Sequence, residues 1–200
     1  MFAVLVFHAA VESTQWVEGG KRRLERAVIA APFGRIVLAA TDDAIVEVEL
    51  LGGETPLIDS PVGLLKEGAR QFERYFAQAD FRFSLPLLAQ GTLFQRKVWQ
   101  SLRGIAPGTV MTYAEICHTI GSGARAVGGA CRANPYPIII PCHRVVACGG
   151  MGGYAGKTAG FLMDIKRWLL MHEGVRCDDG EAGCDRTFPG RPMGRARAQR

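Results

Sequence analysis

Apolar and polar positions alternate along residues 44–51, where Val46, Val48 and Leu50 are interleaved with Glu47 and Glu49. That pattern predicts a strand with one buried and one solvated face. Residues 26–31 and 34–40 are equally rich in β-formers, and Asp42-Asp43 supplies a turn before the third run. The apolar opening, MFAVLVFHAAVES, has no Lys or Arg ahead of its apolar stretch, which favours a first strand over a signal peptide. The period then changes. Val62, Leu65, Ala69, Phe72 and Phe76 recur at spacings of three and four, predicting a helix from about Val62 with Pro61 in its first turn. Phe81, Phe83 and Leu85 alternate with Arg82 and Ser84 as another short strand.

Residues 86–91 read as a linker, and the character beyond it is helical. Thr92-Leu93-Phe94-Gln95 is a capping box, followed by Phe94, Val98 and Leu102 on one face. Pro107-Gly108 makes a turn, and Thr112-Tyr113-Ala114-Glu115 is a second capping box that opens a short helix to Ile120. Gly121-Ser122-Gly123 breaks that helix, and another spans about 124–132 before Asn134-Pro135. Two short helices across a glycine turn fit a helix-turn-helix. The second contains Gly128-Gly129, which weakens it as a helix but lets a ligand approach its backbone closely. Leu162, Ile165, Trp168 and Leu169 predict a last helix over 161–172, with Gly174 as its stop. Residues 175–200 mix Gly, Pro, Arg and acids without apolar pattern and are expected to be a flexible tail.

Composition narrows the class. The chain has 200 residues, 48% hydrophobic and 22% charged, as in a globular protein with a substantial core. No apolar run reaches the roughly 20 residues a membrane span needs. A formal net charge of +5 permits attraction to phosphates. All six cysteines lie beyond residue 116, without CxxC spacing, which matches neither a disulfide framework nor a zinc module and points to free thiols in a reducing compartment.

The chemistry concentrates in Ile138-Ile139-Ile140-Pro141-Cys142-His143-Arg144-Val145-Val146. Three isoleucines anchor this stretch in the core, proline interrupts pairing, and a cysteine follows beside two groups able to carry positive charge. Such neighbours lower a thiol's pKa and populate the nucleophilic thiolate.

The stretch Arg125-Ala126-Val127-Gly128-Gly129-Ala130, then Asn134-Pro135, then Ile139-Ile140-Pro141-Cys142-His143-Arg144-Val145 resembles the signature of the O6-alkylguanine-DNA alkyltransferase family. Supporting matches are Phe94-Gln95 with Val98-Trp99, Pro107-Gly108, Thr112-Tyr113, Gly153-Tyr154, and Lys166-Arg167-Trp168-Leu169-Leu170 with Glu173. They cover residues 91–174, whereas the first 85 residues match only in their β-rich character.

The resemblance implies an α+β fold. A small ribonuclease-H-like lobe would occupy residues 1–86, a winged helix-turn-helix lobe 91–174, and a tail 175–200. Cys142 would take the alkyl group irreversibly, once per molecule. His143 would deprotonate it through a water, with Glu173 orienting the imidazole, Asn134 holding the turn before the thiol segment, and Tyr113 giving a proton to the leaving guanine oxygen. The damaged nucleotide would be extruded, with Arg125 filling the gap, while Ala126, Gly128, Gly129, Cys131, Arg132 and Tyr113 lie against the minor groove. Pro137, Val145, Tyr154 and Ala155 would line the pocket, with the backbone at Cys142, Val145 and Ala155 bonded to the guanine edge. No cofactor and no metal are expected. The partner would be double-stranded DNA containing O6-alkylguanine, bound by a monomer in the bacterial cytoplasm or, in a eukaryote, the nucleus.

Three departures from the pattern stand out. The loop with Ala155-Gly156-Lys157-Thr158-Ala159-Gly160 is longer than usual, Cys131 replaces a larger apolar residue, and His8 alone in the first half offers no zinc set. The rival readings are a non-catalytic lesion-binding protein, which would lack the acceptor cysteine, and a transcription factor, which would need polar base-reading side chains on the second helix. A Cys-His peptidase or acyltransferase would need an oxyanion hole that the sequence does not reveal.

Overall fold

The computed structural model describes residues 13–17, 20–53, 55–58 and 63–176. Strands β1 (Ser13–Val17), β2 (Gly20–Ala31), β3 (Gly34–Ala40) and β4 (Ile45–Leu51) form one antiparallel sheet in that order. The second strand begins at Gly20, six residues before the predicted 26, because its first part pairs with β1. Residues 1–12, where a first strand was expected, lie outside the described residues. Pro32-Phe33 turns β2 into β3, and at Gly34 (φ +139°) a Cβ would sit 2.5 Å from the Leu51 carbonyl oxygen, so only glycine fits there.

Helix α1 (Gly63–Ala77) follows, while its expected start at Pro61 and Val62 lies outside the described residues. It buries Leu65, Phe72 and Tyr75 against the sheet face that carries Ile36, Leu38 and Ile45. Full burial of each such side chain contributes about 1.5–3 kcal/mol.

Residues 81–85 do not form the expected strand; they pass beside α1, with Phe83 packed on Phe72 and Tyr75. The expected linker 86–91 is likewise bonded in. The Ile45 amide donates to Pro86, the Leu88 amide donates back to Ile45, and Gln90 donates to the Val46 carbonyl and the Tyr136 hydroxyl. The backbone groups there find partners on both lobes, which removes the freedom a linker would have.

Helices α2 (Leu93–Arg103) and α3 (Tyr113–Ile120) start at Thr92 and Thr112, each with both bonds of its capping box formed. A cap of this kind is worth about 1 kcal/mol. Gly121 at φ 72° ends α3, and α4 (Ala124–Arg132) follows after a three-residue turn. Between α2 and α3, strand β5 (Met111–Thr112) pairs in parallel with β6 (Val145–Val146), a pairing too short to leave a periodic signal. Helix α5 (Phe161–His172) has the predicted bounds. Beyond it Val175 packs on Val146 and Leu170, so the tail does not begin at that residue; residues 177–200 lie outside the described ones.

A single buried cluster runs from Ile36 and Phe72 in the first lobe to Val127, Ile140 and Leu169 in the second. Across it the Val48 amide donates to the Pro135 carbonyl, which ties β4 to the turn that precedes the cysteine segment.

Candidate active site

The cysteine segment is held by its own backbone before any side chain acts. Asn134 receives the Tyr136 amide on Oδ1 and donates from Nδ2 to the Ile140 carbonyl, closing the turn on itself. Inside that turn Ile138 sits at φ 74°, a region β-branched residues rarely enter, and it is 2% exposed. Burial of its side chain holds a conformation that costs of order 1–3 kcal/mol. At Pro141 (φ −81°, ψ 64°) the Cys142 amide reaches back to Ile140, giving an inverse γ-turn. Residues Cys142–Arg144 then make a single 3₁₀ turn. This turn directs Cys142, His143 and Arg144 inward, and all three are buried.

Cys142 Sγ accepts a hydrogen bond from Asn134 Nδ2 at 3.2 Å. Burial pushes this thiol up; the Asn134 donor and the charge of Lys166 pull the other way. The sequence expectation that His143 and Arg144 would lower it needs correction. Burial pushes the His143 imidazole down and leaves it neutral at pH 7, while the Arg144 guanidinium is turned to Glu173. The cation that acts on the sulfur is instead Lys166, which is fully buried and donates to the carbonyls of Val145, Met151 and Gly153.

His143 Nε2 lies 3.0 Å from Glu173 Oε1, and both side chains are inaccessible to solvent. Arg144 grips the same carboxylate with Nε on Oε2 and a terminal nitrogen on Oε1, each at 2.8 Å, and donates to the Ile105 carbonyl as well. Tyr75 of α1 donates to Oε1 at 2.7 Å. Burial would raise the carboxyl, but His143 and Arg144 hold it well below the usual carboxylate range. An ionised acceptor at Oε1 requires the proton on Nε2, so the neutral His143 presents a bare Nδ1. That atom is buried and has no hydrogen-bond partner. A buried ring nitrogen with a free lone pair, next in sequence to a thiol, is equipped to take a proton.

Sequence reasoning missed Tyr75 and the work of Lys166. Tyr75 stands three residues after Phe72 on the buried face of a helix, where a tyrosine hydroxyl needs a partner; that is the signal that could have found it.

The remaining expected residues fall into two groups. Tyr113 is half-buried at the start of α3, its hydroxyl 3.4 Å from the Gly153 carbonyl, and burial pushes it up to about 12. Tyr154 is buried beside the thiol, and its hydroxyl has no hydrogen bond of good geometry. Val145 is buried and Pro137 half-buried, whereas Ala155 is exposed at φ 48° in a tight turn closed by paired bonds between Tyr154 and Lys157. Arg132 lies over that turn, since a Cβ at Gly156 would come within 2.7 Å of its Nε.

On α4 the side chains of Arg125, Ala126 and Arg132 are exposed, and Val127, Ala130 and Cys131 face the core. Cys131 was expected on the contact face; its 7% exposure places the side chain inside, and burial pushes its thiol up to about 12. A Cβ at Gly128 or Gly129 would meet nothing within 4 Å.

A hollow of about 330 Å³ on the outer sheet face, between Arg26, Val28, Val37, Glu47 and Glu49, holds no nucleophile. A crevice of about 210 Å³ backs onto the thiol segment between Arg82, Arg103, Ile139, Pro141 and Arg144.

Residues 93–175 match the model of the 6-O-methylguanine DNA methyltransferase, DNA binding domain, and residues 24–89 that of its ribonuclease-like domain. A methylated-DNA–protein-cysteine methyltransferase of Methanosarcina acetivorans is 38% identical over 74% of this chain and 97% of its own length. The human protein of the same name is 34% identical over 76% of this chain and 82% of its own. A crystal structure of Mycobacterium tuberculosis OGT in complex with DNA is similar at 33% identity and a TM-score of 0.62, over 74% of this chain and 92% of that one.

Proposed function

This chain belongs to the 6-O-methylguanine DNA methyltransferase family, and we propose that Cys142 is the acceptor through which it works. The protein repairs DNA by moving an alkyl group from O6 of guanine to its own cysteine, once per molecule. The observation that carries the assignment of Cys142 is the buried array around it. Asn134 donates to the sulfur, and the adjacent His143 has one nitrogen engaged by Glu173 and the other free.

In this reading the Cys142 proton passes to His143 Nδ1 through a water, and the imidazolium so formed faces an ionised Glu173. The thiolate attacks the alkyl carbon in line as the bond from that carbon to O6 breaks. Tyr113, still protonated at neutral pH, gives a proton to the departing oxygen. The thioether has no route back to the thiol, so turnover ends there. With 5% of Cys142 exposed, the guanine must be seated closely, against Pro137, Val145, Tyr154 and Ala155.

O6 of a stacked guanine is out of reach, so the nucleotide leaves the duplex. Arg125, exposed at the start of α4, fills the vacancy. Gly128 and Gly129 support close contact with the minor groove, because nothing inside the protein requires glycine at either position. Arg132, fixed over the 154–157 turn, joins that surface to the pocket rim. The protein acts as a monomer.

The test is the mass of the protein after incubation with duplex DNA carrying O6-methylguanine. The expected result is a single added methyl on the peptide holding Cys142, and none in Cys142→Ala. Tight lesion binding by the wild type without added mass would favour a non-catalytic lesion-binding protein instead.

A further inference from the structure

Glu173 belongs to the second lobe, yet one of its donors comes from the first. Tyr75 lies 98 residues earlier, on α1, and is 1% exposed. Its ring is clamped against Phe76, Phe83 and His172, and its carbonyl accepts from His172 Nε2 at 2.8 Å. Phenylalanine would fill that space. The hydroxyl is explained only by its bond to Glu173 Oε1, since an unpaired phenol at this depth would destabilise the fold.

The oxygens of Glu173 are loaded unequally. Oε2 accepts from Arg144 alone, whereas Oε1 accepts from Tyr75, His143 and Arg144. Tyr75 therefore acts on the oxygen that His143 uses. We propose that Tyr75 is a positioning residue for alkyl transfer: its hydroxyl fixes Oε1 toward His143 Nε2 and limits how strongly that oxygen attracts a proton, which makes the first lobe part of the catalytic relay. This rests on the reading of Cys142 and His143 as nucleophile and base.

The sign of the effect follows from charge. A donor on Oε1 drains negative charge from the carboxylate, so Glu173 stabilises imidazolium less than it would alone, and His143 stays neutral to lower pH. Burial and the charge on Glu173 both push the Tyr75 phenol up, so it remains a donor throughout the working range. The other titratable or charged groups facing this relay are His143 and Arg144 on the carboxylate itself, Lys166, whose charge reaches His143, His172 against the Tyr75 ring, and Tyr154, which faces both Tyr75 and Cys142; none of them is altered when only the Tyr75 hydroxyl changes.

The experiment measures the transfer rate from O6-benzylguanine against pH for wild type, Tyr75→Phe and a protein with 3-fluorotyrosine at position 75. Phe33→Leu is the control, because Phe33 packs between Phe76 and Trp168 and touches no member of the relay. Tyr75→Phe is expected to lower the plateau roughly 10-fold, part of the roughly 10²–10⁴ that a positioned base supplies, and to move the acid limb to higher pH. Fluorotyrosine, a stronger donor of nearly the same shape, is expected to move the limb to lower pH even if Tyr75→Phe does not fold. Phe33→Leu is expected to lose stability with the limb unmoved. Unmoved limbs in both Tyr75 proteins, or a slower plateau alone, overturn the proposal. Absence of transfer by the wild type, from this base and from duplex carrying O6-methylguanine alike, would instead overturn the reading of Cys142, and this proposal with it; if only the duplex reacts, the same pH comparison is read on the duplex.

Discussion

The relay at Cys142 and the outer face of α4 sit next to each other and are built on opposite principles. In the relay every group but one is engaged: Glu173 alone receives four hydrogen bonds from three residues, all out of solvent. On α4 the outward residues Arg125, Ala126, Gly128 and Gly129 make no hydrogen bond beyond those of the helix backbone. Chemistry demands geometry fixed in advance, because a misplaced base or an unpaired buried charge costs rate and stability together. Recognition demands a surface left unsatisfied until a partner arrives. The contrast predicts that changes in the relay are expensive for the fold, and that changes on α4 are cheap for the fold and expensive for function.

The largest effect is expected at Glu173. Removing it in Glu173→Ala leaves Arg144 buried without its counter-ion and is expected to cost about 3–5 kcal/mol in urea unfolding. A loss under about 1 kcal/mol would break the contrast.

The pH dependence should follow the same residues. Glu173 has its carboxyl held below the ordinary 4.5, so its contribution is whole above that value and is lost as pH falls through the folded value. His143 is kept neutral by burial, below its ordinary 6.5; the unfolded chain takes up that proton first, so stability also drains as pH falls under 6.5. Both act in one direction. Stability should decline as pH falls from 7, first below 6.5 and then further below 4.5, and Glu173→Gln should flatten the part below 4.5. Unfolding curves across that window are the check.

The smallest effect has the opposite sign. Gly129→Ala meets no neighbour and improves the helix, so the fold should gain about 0.5–1 kcal/mol. Binding to duplex should weaken in the same variant. A variant both more stable and equally tight on DNA would show that close approach to the duplex does not require glycine at position 129.

The two regions were not equally legible in the sequence. The starts of helices α2 and α3 could be read to the residue because Thr92 and Thr112 carry local caps. The cysteine segment stood out because proline, cysteine, histidine and arginine followed three isoleucines. What failed was non-local. Residues 81–85 alternate like a strand but find no strand to pair with, and nothing in the sequence of the linker 86–91 signals that it would be bonded to its neighbours. The expected cationic sensitising of Cys142 failed for a similar reason. Adjacency in sequence put Arg144 beside the sulfur, while the 3₁₀ turn sends its guanidinium to Glu173. Tyr75 and Lys166 reach the site from α1 and α5; helical spacing puts Tyr75 on a buried face but names no partner for it, and nothing in the sequence announces the work of Lys166.

The sharpest test compares two substrates, free O6-benzylguanine and duplex carrying the same base, on Glu173→Gln and Arg125→Ala. Glu173→Gln is expected to slow both by about 10²-fold. Arg125→Ala is expected to slow the duplex by about 10-fold, a share of the cost of extruding a base, and to leave the free base at the wild-type rate. Equal slowing of both substrates by Arg125→Ala, or full activity of Glu173→Gln on the free base, would contradict the division between a buried relay that does the chemistry and an open helix face that finds the lesion.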